Sequence, residues 1–158
     1  MRKNMDRKQE NYAARAEALF LSGYNCAQAL YAAFAPLAGL DEKEALRLAS
    51  PFGGGFGRMR QVCGAFSGLT LVVGNLFGYD DLSAPEKDAL YPRVQELGKR
   101  FEARCGSLIC KEILKNKVEV GGVASPRTEE YYKTRPCARV VRAAAEVLEQ
   151  YLKEEGIL

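Results

Sequence analysis

Five cysteines and no histidine set the chemistry open to this 158-residue chain. Cys26, Cys63, Cys110 and Cys137 are separated by 37, 47 and 27 positions, so no pair forms a CxxC loop of the kind that grips a metal from one turn of chain. The lack of His excludes a His-bearing catalytic triad, an HExxH zinc protease, a C2H2 finger, a His-ligated haem and an imidazole pH switch. Proton transfer or metal ligation then falls to Cys, Asp, Glu, Tyr, Lys or Arg. Thiols offer thiolate ligation of a metal or iron–sulfur cluster, or thiol–disulfide exchange. The competing reading is plain packing, because free cysteine is among the most buried residue types.

Helical spacing says how the four could meet. Cys26 shares a helix face with Ala29, Leu30 and Ala33, Cys110 with Ile113 and Leu114, and Cys137 with Val141, Ala144 and Leu148. Cys63 falls within a charge-free helix. Four cysteines looking inward from separate helices can converge in a bundle core, where metal and cofactor sites are built. Cys105 stays outside the set, because on a continuous helix it lies about 140° around from Cys110.

Two neighbourhoods add detail. In Cys63-Gly64-Ala65-Phe66-Ser67-Gly68, Gly64 and Gly68 fall on one helix face and leave room for another backbone or a bulky cofactor. Upstream, Phe52-Gly53-Gly54-Gly55-Phe56-Gly57-Arg58-Met59-Arg60 lacks the Lys-Ser/Thr ending of a Walker A loop and the strand that a dinucleotide fingerprint requires. Its amides, with Arg58 and Arg60, form either an anion-friendly wall that favours a Cys63 thiolate or an interhelical loop with solvated arginines. Gly53, Gly54, Gly55, Arg58, Gly64 and Gly68 are the candidate cofactor contacts. Cys137 sits in the first turn of a helix beside Arg135 and Arg139, and helix N-termini and cations both lower a thiol pKa. Cys63 and Cys137 are accordingly the candidate nucleophiles.

The elements that position these residues read as helices. The charge-free stretches 18–40 and 61–79 are expected to be two buried central helices; their Gly, Ser, Asn and Gln content and a mean hydropathy of −0.23 argue against membrane spans. Asp41 with Glu44 opens a short helix through about Ala49, stopped by Pro51. Ser83 with Glu86 opens another, with Pro85 in its first turn and Pro92 as a kink or division. Thr134 is expected to cap a last helix with a stripe of Val140, Val141, Ala144, Val147, Leu148 and Tyr151. Val118-Glu119-Val120 is the best strand candidate in a chain otherwise poor in strand signals. The expectation is an all-α, single-domain helical bundle over residues 1–158, with a charged N-terminal extension of about ten residues. Twenty-three Lys and Arg against 20 Asp and Glu give a net charge of +3, spread along the chain, so no nucleic-acid partner is indicated. An odd number of cysteines and a charged start without an apolar signal region point to a reducing cytoplasm.

The series Gly23-Tyr24-Asn25-Cys26-Ala27-Gln28-Ala29, Phe52-Gly53-Gly54-Gly55, Cys63-Gly64-Ala65-Phe66-Ser67-Gly68, Phe101 with Gly106-Ser107 ahead of Cys110, and Cys137 before an apolar helix resembles the C_GCAxxG_C_C family of redox-active proteins. The resemblance runs from about Tyr12 to Leu152. It implies that Cys26, Cys63, Cys110 and Cys137 are the defining set, with Cys105 an extra. A similar domain in split-Soret cytochromes, whose cysteines are associated with an iron centre, implies an iron–sulfur cluster on these four. The haem is not carried over, for the chain has neither His nor a C-x-x-C-H motif. Structural zinc on four thiolates, a metal-free thiol–disulfide couple, and a helical binding or assembly module with structural cysteines are the alternatives. The redox partner is unspecified, and a homodimer is compatible with the sequence.

Overall fold

The computed structural model describes residues 11–158, so the charged extension expected over residues 1–10 lies outside the described residues. Helix α1 (Tyr12–Leu21) is capped by Asn11, whose side chain accepts the Ala14 N–H. Helix α2 (Cys26–Ala33) opens on a reciprocal box: Asn25 Oδ1 accepts the Gln28 N–H at 2.9 Å, and Gln28 Oε1 accepts the Asn25 N–H at 3.1 Å. The first charge-free stretch is therefore not one helix. It is cut at Gly23, with φ +117°, and again before α3 (Ala35–Ala38), a turn begun by Pro36 and closed by left-handed Gly39.

Helix α4 (Glu42–Ala49) follows Asp41 as expected, although the Asp41 side chain makes no capping bond. Pro51 lies within a 3-10 turn, Ser50–Phe52, that prolongs the helical path before the glycine loop. The second charge-free stretch forms α5 (Gly64–Phe77). Helix α6 (Glu86–Cys105) runs unbroken through Pro92, while Ser83 donates its hydroxyl to Asp81 instead of capping it. Gly106, with φ +89°, ends α6, so Cys105 and Cys110 are not on one helix; Cys110 begins the single turn α7 (Cys110–Ile113).

The expected cap at Thr134 is corrected by the structure. Thr134 is the last residue of α8 (Glu129–Thr134), its hydroxyl donating to the Glu130 carbonyl at 2.8 Å, and α9 (Cys137–Glu154) starts after Pro136. The cause is Pro136, whose ring disfavours a helical residue before it: Arg135 is extended at φ −106°, ψ 137°. The segment Val118-Glu119-Val120 does not form a strand; among the described residues the β-type pairing is one isolated bridge, Val62 to Ile109.

The all-α bundle expected from the sequence is borne out. Helix α2 lies against α1, α4 and α5, and α9 packs on α1 and α6. Leu30, Leu69, Leu97, Phe101, Leu148 and Leu152 are fully enclosed, each contributing about 1.5–3 kcal/mol of apolar burial. The apolar stripe expected on α9 is buried as a whole. A Cβ on Gly68 would stand 2.7 Å from the Ala27 carbonyl, so this glycine lets α5 rest directly on the α2 backbone. Among the described residues, no helix is long and apolar enough to cross a membrane.

Candidate functional site

Each cysteine of the expected set stands where a helix begins. Cys26, Cys110 and Cys137 are the first residues of α2, α7 and α9, and Cys63 immediately precedes α5. Helix starts carry amides without intrahelical partners, so these positions favour negative charge.

Local chain geometry explains the convergence. At the Val62–Ile109 bridge the Cys63 N–H donates to the Leu108 carbonyl at 2.7 Å and the Cys110 N–H to the Gln61 carbonyl at 2.6 Å, which sets these two cysteines side by side. A Cβ on Gly64 would come within 3.2 Å of the Cys26 Cβ, so the missing side chain lets the start of α5 approach the start of α2. Gly55 faces Cys110 so tightly that a Cβ would lie 2.7 Å from the Cys110 Cβ. The result is one small cavity of about 50 Å³ lined by all four cysteines, together with Gly54, Gly55, Gly64, Arg60, Arg127, Tyr131 and Arg135.

The other expected residues are divided. Gly53 and Arg58 line a larger pocket next door, of about 290 Å³, and Gly68 belongs to the α2–α5 contact. Cys105 lines neither space and is half-buried against the core. Of the two arginines in the glycine loop, Arg60 reaches the sulfurs: it is 3% exposed, its Nε donates to the Glu119 carbonyl at 2.9 Å, and its Nη1 lies 3.7 Å from Cys110 Sγ. The loop that delivers it is unusual. Gly54, Gly55, Phe56, Gly57, Arg58 and Arg60 all have φ between +57° and +68° or, for Gly55, +71°. Glycine takes that conformation freely, but Phe56, Arg58 and Arg60 are strained in it, and such strain persists where the surroundings over-determine it.

The thiols are not equivalent. The neighbouring Cys137 and burial together hold the Cys26 thiol well above its ordinary value. The neighbouring Cys26 thiol lowers Cys137, helped by Arg135, Arg127 and Arg60 and opposed by burial. Cys63 is pushed up to about 12 by burial, although the amides of Ala65 and Phe66 favour its thiolate. Burial also raises Cys110, against the pull of Arg60. Of the two expected nucleophiles, Cys137 is the one whose surroundings favour the thiolate.

Sequence reasoning passed over Arg127 and Tyr131. The Arg127 guanidinium lies 4.6 Å from the Tyr131 ring centre and that of Arg135 lies 4.4 Å from it, so one half-buried ring carries two cations. The signal was the spacing Arg127, Tyr131, Arg135, four residues apart around α8.

Four thiols ringed by arginines suit an iron–sulfur cluster or a thiolate-held zinc in donor type and charge. The arrangement does not suit them in spacing: among the described residues no group of three or more Cys, Asp or Glu is placed to hold a metal ion. All five cysteines are free thiols.

No curated protein and no solved structure matches the chain. A family model does, over residues 24–151, which contain all four converging cysteines and the glycine loop. The chain therefore belongs to the C_GCAxxG_C_C family, described as putative redox-active proteins.

Proposed function

We propose that the four-cysteine cavity is a thiol–disulfide redox site, with Cys137 as the attacking thiolate and Cys26 as the resolving thiol. The observation that carries this reading is a single small cavity lined by all four cysteines, in which Cys26 and Cys137 shift each other's acidity in opposite directions. Of two neighbouring thiols, one near cations and the other desolvated, the first is suited to be the nucleophile and the second the proton holder.

The reaction balances with an organic disulfide as oxidant. Cys137 thiolate attacks one sulfur of the substrate, the substrate S–S bond breaks, and the first thiolate leaves with one electron pair. Cys26 then loses its proton and attacks Cys137 Sγ; the Cys26–Cys137 bond forms and the second substrate thiolate leaves. Two electrons pass to the substrate, reducing one disulfide to two thiols as one protein disulfide forms. Run backwards, the same steps oxidise small thiols.

The test is a thiol count and peptide map of anaerobically reduced protein before and after a mild disulfide oxidant. Two thiols should be lost and a Cys26–Cys137 linkage found, with Cys137→Ser abolishing it and Cys105→Ser preserving it. An unchanged thiol count overturns the reading. A second reading, an iron–sulfur or zinc centre on Cys26, Cys63, Cys110 and Cys137, is favoured by donor type and by Arg60, Arg127 and Arg135, which offset thiolate charge, and requires the sulfurs to draw closer together than they stand. Stoichiometric iron and sulfide, or zinc, in anaerobically purified protein, lost in Cys63→Ser, would put it first.

A further inference from the structure

We infer that the arginine-lined pocket beside the cysteine cavity binds an oxyanion, and that the disulfide or thiol handled at Cys137 belongs to a small molecule bearing a carboxylate, phosphate or sulfonate group. The inference rests on the redox reading of the cysteines for its second half only.

The pocket, of about 290 Å³, has Arg58, Arg60, Arg127 and Arg135 in its walls and no Asp or Glu. The carboxylate nearest Arg58 is that of Glu119, 3.5 Å away on a side chain that is 91% exposed, a pairing that solvent weakens. Among the described residues, Arg60, Arg127 and Arg135 have no carboxylate partner. Two guanidinium nitrogens, Arg58 Nε and Arg127 Nη1, are buried and make no hydrogen bond. Buried donors are nearly always satisfied, so two unsatisfied ones on two arginines of the same pocket call for an acceptor, even though the Arg127 guanidinium also stacks on Phe20 and Tyr131 and donates Nη2 to the Tyr24 carbonyl. Guanidinium forks match the two-oxygen edge of a carboxylate, phosphate or sulfonate.

These charges are not there only to offset a thiolate. Arg58 lines the larger pocket and not the cysteine cavity, and it is held there in a strained left-handed conformation. The two spaces share Arg60, Arg127, Tyr131 and Arg135, so an anion held in the larger one is at the entrance to Cys137. The volume suits a head group with a short chain, below the size of ordinary drug-sized ligand sites.

The test uses the full chain, reduced and anaerobic, with alkylation of Cys137 read by mass spectrometry at fixed ionic strength. Inorganic phosphate, methanesulfonate and acetate are titrated separately against iodoacetate, an anionic probe, and iodoacetamide, a neutral one. The expected result is a higher iodoacetate-to-iodoacetamide ratio at Cys137 than at Cys105, and saturable protection from iodoacetate by at least one oxyanion, which identifies the head group. Arg58→Gln and Arg127→Gln should each raise the protecting concentration by roughly tenfold or more, while Lys87→Gln should not. Two variants on separate segments, each checked by its melting temperature, keep the result from turning on one folding defect. Protection by no oxyanion beyond that of sodium chloride, or protection unchanged in both arginine variants, overturns the inference. A neutral aromatic disulfide separates the two claims: if it forms the Cys26–Cys137 bond but no oxyanion protects, the anion pocket alone fails. If no disulfide forms while oxyanion binding is seen by calorimetry, the redox reading fails and the anion site stands.

Discussion

Cys63 and Cys137 have the same functional group and opposite acid–base surroundings. Cys137 has three arginines and the Cys26 thiol as neighbours that favour its thiolate, and Cys63 has burial that pushes it up to about 12. Alkylation across pH should therefore show Cys137 modified with a midpoint below the ordinary thiol value of 9.0, and Cys63 inert until strongly alkaline pH. Early modification of Cys63 in folded protein would contradict that order. Stability follows the same shifts. A thiol whose folded pKa is raised keeps its proton while the unfolded chain loses it, so Cys63 makes the fold lose stability as pH rises from about 9 towards 12. Cys137, being lowered, adds stability as pH climbs from its folded value to 9.0. Urea melts above pH 9 should therefore show falling midpoints, less steeply in Cys63→Ala. At this scale the sequence made the four cysteines legible, because an all-thiol, His-free set has few uses. The role of Arg127 was hidden, since its place over Tyr131 depends on how α8 meets the core.

Glycine governs how the elements approach one another. Gly68→Ala would drive a methyl to 2.7 Å from the Ala27 carbonyl, and backbone cannot move aside as a flexible side chain can. We expect a loss of about 1–3 kcal/mol in urea unfolding as α5 lifts from α2; an unchanged midpoint would mean the helices are further apart than described. Gly55→Ala is the more telling change, because left-handed backbone (φ +71°) and a 2.7 Å approach to Cys110 both oppose it. It should displace Cys110 and reduce Cys26–Cys137 disulfide formation, read by peptide mapping, more than it lowers the melting temperature. Helix existence was legible from prolines, caps and apolar spacing, and α4, α5, α6 and α9 occupy the segments expected of them. Helix boundaries were less so. Thr134 looked like a cap by residue type, but Pro136 imposes a break that moves the last helix start to Cys137. Charge-free composition hid the division of 18–40, because burial demands apolar residues whether the backbone is one helix or three.

Across the whole molecule, the site exists only when distant parts of the chain are folded together. Its cysteines come from positions 26, 63, 110 and 137, and α2, α5 and α9 that present three of them pack within one hydrophobic core. Leu30→Asp, which places a charge at a fully enclosed α2 position, should cost about 4 kcal/mol or more and expose all four thiols together. Thiol exposure and loss of helical circular dichroism should then follow the same urea curve; separate transitions would show that the site can open without the core. Redox state should act at the same scale. A Cys26–Cys137 bond would close a loop of about 110 residues, which in the chain-entropy view removes about 4–5 kcal/mol of freedom from the unfolded state. Because both thiols already line one small cavity, closing the loop should need little displacement of α2 or α9, so most of that should appear as stability. Oxidised protein should unfold at clearly higher urea than reduced protein, and dithiothreitol should abolish the difference. Cys26→Ser should unfold at one midpoint regardless of reductant, whereas Cys105→Ser should keep the full redox dependence. Equal midpoints for oxidised and reduced protein would mean that the bond formed, if any, joins cysteines other than these two.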